Sequence, residues 1–366
     1  MLYPLRFKEI LRNYEFGDRW IVDVYAKEGL PENHRIAETW EVCDRGSESS
    51  VVINGALAGK TLHELIANYG IDFLGRDVVA RSGTRFPLLI KFLDASNVLA
   101  EQAHHNDALA AKQGLSDPGK TEAWYMLHVR DGATIRCGNV AGATETAVHD
   151  AIMEGTIRDL MQEYAVQPGD AFLLYAGTMH YSKGGALFYE IMQNSDVYIG
   201  LTQPDATLPE TERETQVHAA MEGVHLEEGF SCKTHPVTLS EGENARTFLL
   251  ACTHFVLERL DLTAPYTLEC DGERFFVLSQ IEGKSTVVWG TERETLRPGQ
   301  TCLLPANLGT VTLEPESGPC ALLKSYLPDL MQNVIQPLRE AGVTDEAIVG
   351  LGGKTVLNPL KALLTL

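Results

Sequence analysis

Four side chains in this sequence could share one chemical task. Gln102 and His104 stand two apart, Glu122 opens a β-type run, and His180 follows a short Gly-containing turn in "AGTMHY". Side chains alternate along a strand, so Gln102 and His104 project to the same face. Two imidazoles, a carboxylate and an amide oxygen form a mixed nitrogen and oxygen donor set. Such a set suits Zn²⁺, and Fe²⁺ or Mn²⁺ would also be tolerated. One or two positions on the ion would stay open to substrate, as a catalytic metal requires. His105 falls on the opposite face from His104 and is expected to be exposed or packed. His128 shares strand parity with Glu122 and is a candidate for lining the same cavity.

The elements that must position these residues are mostly short β segments. "ESSVVIN", "PLLIKFLD", "EAWYMLHV", "DAFLLYAG", "ALFYEIMQ", "RTFLLACTHFVLERLDL", "RFFVLSQI", "STVVWG", "TCLLPA" and "GTVTLE" are rich in Val, Ile, Leu and aromatics. Gly, Pro, Asp or Asn bound them, which suggests a sandwich or barrel. Helical patterns are fewer. "KTLHELIANYG" puts Leu62, Leu65 and Ile66 on one face, with Gly70 as a stop. "TETAVHDAIMEGTIRDLMQEY" spaces Val148, Ile152, Ile157, Leu160 and Met161 as one helix, with Thr144 or Thr146 as N-cap. "LPDLMQNVIQPLREAG" reads as a third helix, interrupted near Pro337. The polar stretch 205–215, "DATLPETERET", reads as a linker, and a boundary is expected between 205 and 245.

A short repeat crosses that boundary. "VQPGDAFLLYAGTMHY" and "LRPGQTCLLPANLGTV" share Pro-Gly, then three residues, then Leu-Leu, one residue and Ala. Where the first copy has His180, the second has Thr310. Each side of the boundary is therefore expected to hold one copy of a common β unit, with the metal ligands in the first copy alone.

Composition limits the partners. The chain has 366 residues, 44% of them hydrophobic, and a formal charge of -20 from 50 acidic and 30 basic residues. A globular protein of two or three domains is expected. A phosphate backbone or an anionic membrane surface would be repelled, so neither nucleic acid nor membrane is an expected partner. No apolar run approaches the ~20 residues of a membrane span, and "MLYPLRFKEILRN" is not a signal peptide. The seven cysteines are scattered and show no C-x-x-C spacing, as expected of reduced thiols in a cytoplasm.

The ordered set Gln102, His104, Glu122 and His180, with Pro168-Gly169-Asp170 and Gly177-x-x-His180, is similar to the cupin jelly-roll signature. A cupin's first motif is H-x-H followed by Glu; here Gln102 takes the first place. Longer stretches carry a closer likeness: "PLRFKEILRNYEFGDRW", "AETWEVCDRGSESSVVINGALAGKTLHEL", "RFPLLIKFLDASNVLAEQAHHND", "DPGKTEAWY", "PGDAFLLYAGTMHYSKGGALFYEIMQNSD" and "LLPANLGTVTL". On these, the chain resembles the type I mannose-6-phosphate isomerases, in their shorter bacterial subclass, over roughly residues 1–327.

The resemblance implies a mainly β protein with some α, built as two cupin-type jelly-roll barrels with helical insertions. Residues 1–240 would be the catalytic metal-binding domain, 241–328 a second cupin-like domain without metal ligands, and 329–366 a helical tail. It implies one Zn²⁺ on Gln102, His104, Glu122 and His180. It places Glu38, Lys91, Lys120 and Glu190 in the pocket. The implied reaction is aldose–ketose isomerisation of mannose 6-phosphate and fructose 6-phosphate through a cis-enediolate, with Lys120 or Glu190 moving the proton. Lys91, Lys120, Lys183 and Arg85 are the candidate phosphate partners. The partner is thus a small sugar or sugar phosphate.

The sequence departs from the family in "QNSDVYIGLTQPD", where no arginine lies between Asp196 and Pro204 although members carry one. That departure raises two alternatives: an isomerase of this scaffold acting on another, unphosphorylated sugar, and a sugar-binding cupin without turnover. An iron-dependent dioxygenase is a more distant reading.

Overall fold

Eight strands between Leu88 and Gln193 hold the candidate ligands in the computed structural model, which describes residues 2–25, 27 and 35–365. They are β1 (Leu88–Ala95), β2 (Leu99–Ala103), β3 (Glu122–Val129), β4 (Thr134–Asn139), β5 (Met161–Ala165), β6 (Ala171–Leu174), β7 (His180–Ser182) and β8 (Ala186–Gln193). One sheet runs β6-β3-β8-β1 and continues to Glu38–Val42 and Ile10–Arg12. The facing sheet runs β5-β4-β7-β2 and ends on Ile199–Gly200. Leu93, Trp124, Phe172 and Phe188 from the first sheet meet Ile135 and Cys137 from the second, which closes an apolar core beneath the ligands.

Eight more strands follow in the same order: β9 (Val256–Leu262), β10 (Tyr266–Cys270), β11 (Phe276–Glu282), β12 (Ser285–Trp289), β13 (Glu292–Leu296), β14 (Thr301–Leu304), β15 (Gly309–Pro315) and β16 (Cys320–Tyr326). Their sheets read β14-β11-β16-β9 and β13-β12-β15-β10. Each strand of the second unit therefore has the neighbours of its counterpart in the first. The second unit's larger sheet also takes in Leu5–Lys8, which pairs with β14, so the beginning of the chain crosses into the second unit.

The two larger sheets pack face to face. Ile90, Phe92, Tyr125, Tyr189 and Ile191 share one buried cluster with Leu257, Val277, Leu303 and Leu323. Because β1 and β8 are covered on both faces, every residue in them is buried, and their sequences are near-continuous apolar runs. Past β16, Leu330, Val334, Ile335, Leu338, Ile348, Leu351, Leu360 and Leu364 pack against Phe248, Val256 and Tyr326 at one end of the second unit. The seven cysteines are free and buried, and no helix among the described residues is long and apolar enough to cross a membrane.

Several local expectations need correction. α1 (Leu62–Tyr69) has the full capping box of Thr61 and Glu64 and ends at Gly70 as expected. The helix starting after Thr144, however, stops early. α2 (Glu145–Glu154) ends at Gly155, whose φ of 74° gives a left-handed C-cap, and Met161 begins β5 instead of extending the helix. The stretch 205–215 is only partly a connection, because α3 (Glu210–Met221) begins inside it. That helix buries only Val217, so it shows almost no apolar stripe to read. "RTFLLACTHFVLERLDL" is a hairpin of two strands, Asn244–Ala251 and β9.

Candidate metal centre and active site

Neighbouring strands bring the four ligand candidates together. Gln102 on β2 lies directly opposite His180 on β7. His104 follows the end of β2, and Glu122 opens β3. His180 Nε2 is 3.2 Å from Glu122 Oε1, and His104 Nε2 is 3.4 Å from Glu122 Oε2. The imidazole centroids are 4.9 Å apart. All four residues are buried or nearly so.

Both imidazoles are oriented from behind. His104 Nδ1 is 2.9 Å from the Val197 carbonyl, and His180 Nδ1 is 2.8 Å from the Thr178 carbonyl. A carbonyl can only accept, so each Nδ1 carries the proton and donates it. Each Nε2 then presents a lone pair toward the Glu122 carboxylate side of the cluster. Neither Nε2 has a hydrogen-bond partner, although both are buried. Burial, with Lys120 nearby, pushes His104 down to about 3, and burial likewise lowers His180. Both are held neutral, the form that ligates a cation. Burial opposes ionisation of Glu122, but the Lys120 ammonium beside it outweighs that and holds this carboxyl well below the usual range. These orphaned, converging donors fit a divalent cation.

Around them is a cavity of about 330 Å³. Its walls include Glu38, Lys91, Lys120 and Glu190. Lys120 Nζ is 3.0 Å from Glu122 Oε2. Lys91 on β1 faces Glu190 on β8, its cross-strand partner, and Nζ lies 3.2 Å from both Glu190 and Glu38. Burial lowers the Lys91 ammonium, but the two carboxylates more than offset that and raise it. Burial, together with Glu122, raises Glu190 to about 7 against the opposing pull of Lys91. Trp124 Nε1 donates to the other Glu190 oxygen at 2.9 Å.

Two expected substrate contacts are not brought here. Lys183 is exposed beside Gly184 and Gly185, whose φ values of 102° and 84° turn the chain sharply between β7 and β8. Arg85 lies in a different depression, drawn to Asp117 at 3.5 Å and to the Ser116 carbonyl. His128 also misses the cavity. A register shift between β8 and β3 at Leu187 and Phe188 breaks the alternation after Met126, and His128 is exposed near Tyr25. His105 turns away and pairs with Gln113.

Tyr14, Phe16, Asp196, Val197 and Tyr198 complete the wall. Sequence reasoning missed them because they lie on connections, which carry no periodicity. The aromatic cluster in "NYEF" was the one available hint. In the stretch without arginine, Gly200 pairs with Gln102, and a Cβ on Gly200 would lie 3.2 Å from the Tyr198 ring. The phenol of Tyr198 therefore covers the place where a side chain from residue 200 would start.

Two family models match the chain: "Phosphomannose isomerase type I, catalytic domain" over residues 5–134 and "Mannose-6-phosphate isomerase, cupin domain" over residues 244–327. The chain is 30% identical over 313 residues to mannose-6-phosphate isomerase ManA of Bacillus subtilis, covering 85% of this chain and 96% of that one. It is 28% identical to the mannose-6-phosphate isomerase of Streptococcus mutans over 269 residues, 73% of this chain and 82% of that one. Among solved structures, the mannose 6-phosphate isomerase of Bacillus subtilis shares the fold with a TM-score of 0.74 at 24% identity, over 88% of this chain and 99% of that one. A zinc-bound mannose 6-phosphate isomerase gives 0.70 at 17% identity, over 89% and 100%. A curated relative matched at this identity over nearly its whole length settles the kinship: the chain belongs to the type I mannose-6-phosphate isomerase family.

Proposed function

We propose that the protein is a zinc-dependent aldose–ketose isomerase that interconverts mannose 6-phosphate and fructose 6-phosphate through a cis-enediolate. The observation that carries this reading is the pair of buried, unpartnered Nε2 atoms converging on Glu122. Gln102, His104, Glu122 and His180 would hold the ion. When bound, it supplies a Lewis acid that stabilises negative charge developing on the sugar's adjacent oxygens. Zinc is the favoured identity because a zinc-bound structure shares the fold.

The side chains supply the rest. Lys120 and Glu190 stand on the wall as groups that can hold or move a proton. Glu190, held near 7, is matched to transfer in both directions. Lys91 anchors Glu190 and Glu38, leaving carboxylate oxygens to orient sugar hydroxyls. Tyr14, Phe16 and Tyr198 offer aromatic surface to a sugar ring. The domain reading goes with this one: residues 1–240 carry the catalysis, 241–328 form a neighbour without metal ligands, and 329–366 cover one end of it.

A second reading, turnover of an unphosphorylated sugar, is favoured by the charges of the cavity. Lys91 and Lys120, the lysines on its described wall, are both already paired with carboxylates. Assaying zinc-loaded protein on mannose 6-phosphate and on free mannose separates the two. The first reading expects a kcat/KM at least 100-fold higher for the phosphorylated sugar. Equal or better turnover of free mannose would support the second.

A further inference from the structure

On the outer side of the first unit, α2 and α3 lie side by side. Val148 and Ile152 of α2 share a buried cluster with Val217 of α3. Above this contact, His149 of α2 faces Glu214 and His218 of α3. His149 Nε2 is 2.7 Å from Glu214 Oε2, and His218 Nε2 is 3.9 Å from the same oxygen. The two rings are 5.1 Å apart, and the three donor atoms lie within 4.8 Å of one another. Glu214 and His218 are four apart on one helix, the spacing at which two side chains reach a single ion.

We propose that His149, Glu214 and His218 form a second, surface metal site that takes a zinc-class divalent cation and clamps α2 to α3. Three features support this site beyond the donor set. Asp150 Oδ1 lies 3.2 Å from His149 Nδ1, the carboxylate–imidazole arrangement that orients a ligating histidine, with Nε2 turned toward Glu214. The helices are already packed, so little ordering is needed on binding. Glu145 and Glu222 line the same depression and add a negative field. Two imidazoles and one carboxylate select zinc, nickel or cobalt over magnesium or calcium. The site leaves a position for water and is independent of the catalytic residues.

The test is metal counting on the full chain, stripped with a chelator, reloaded with zinc chloride at neutral pH and desalted. The expected content is about two zinc ions per chain in the wild type. His218→Ala, Glu214→Gln and His180→Ala should each hold about one, and His180→Ala with His218→Ala none. His218 is largely exposed, so its loss cannot be mistaken for unfolding, and isomerase turnover in His218→Ala should be unchanged. Zinc should also raise the melting temperature of His180→Ala but not of the double variant. If the wild type and His218→Ala hold equal zinc, the surface site does not exist. If His180→Ala keeps the wild-type content while His218→Ala loses one, the surface site stands and the catalytic assignment falls.

Discussion

The proposed chemistry rests on which ring nitrogen of two histidines is free. The carbonyls of Val197 and Thr178 decide that, because each fixes one Nδ1 proton. His180→Ala should therefore abolish isomerisation, and His104→Ala should lower it by at least 100-fold, measured as kcat on zinc-loaded protein. Lys91 makes a different prediction. It neutralises Glu190 and Glu38 inside a fully buried strand. Lys91→Met would leave two buried carboxylates without their cation, at a cost of about 3–5 kcal/mol in denaturant unfolding. The clustering of Gln102, His104, Glu122 and His180 was legible in the sequence because their spacing follows strand alternation and a turn. Tyr198 and Asp196 were not, because a connection has no period to read. Lys183 and Arg85 show the limit of choosing cations by sequence alone: glycine geometry sends one to solvent, and Asp117 engages the other.

At the level of elements, the second unit repeats the first with its charges exchanged. Lys91 opposite Glu190 on β1 and β8 becomes Glu258 opposite Lys324 on β9 and β16. Glu38, on the strand beside β1, becomes Arg246 on the strand beside β9. Trp124 pairs with Glu190, and Leu278 pairs with Lys324. Two residues earlier, Glu122 therefore corresponds to Phe276. Thr310, in the place of His180, is exposed and bonded to Glu269. The strand order is shared while the polar positions differ, which is why the sequence repeat fades to a dozen residues: apolar positions tolerate exchange as long as pattern and volume are kept.

The exchanged network has a pH signature. Burial would raise Glu258, but Lys324 and Arg246 hold it down at about 2, with Arg246 in a two-pronged contact at 2.7 and 2.8 Å. A carboxyl depressed in the folded state stabilises it above the unfolded value of about 4.3. That stabilisation is lost as pH falls from there toward 2. Glu258 should thus contribute roughly 3 kcal/mol at neutral pH that fades over this window. Unfolding midpoints followed from pH 6 to 2 should show a steeper acid loss in wild type than in Glu258→Gln, which starts lower at neutral pH.

In the whole molecule, two β units share one core and a helical segment covers the far end of the second. Tyr189 of β8 reaches Ser325 of β16 at 3.1 Å through that shared core, so the second unit braces the strand that carries Glu190. The two-unit plan was visible in the sequence from the paired Pro-Gly segments, but the crossing of Leu5–Lys8 into the second sheet was not, since pairing partners far apart leave no local pattern. The covering segment is held by apolar contact. Val334→Ala and Ile335→Ala together should lower the melting temperature through lost packing while leaving zinc content unchanged. The claim on which all of this depends is that a divalent ion on four side chains of the first unit supports the isomerisation. Its most direct test follows mannose 6-phosphate turnover through chelator stripping and zinc reloading, with His180→Ala alongside. The account predicts activity lost on stripping and restored by zinc in the wild type, and absent throughout in His180→Ala. Turnover that survives complete metal removal, or that His180→Ala retains, would contradict it.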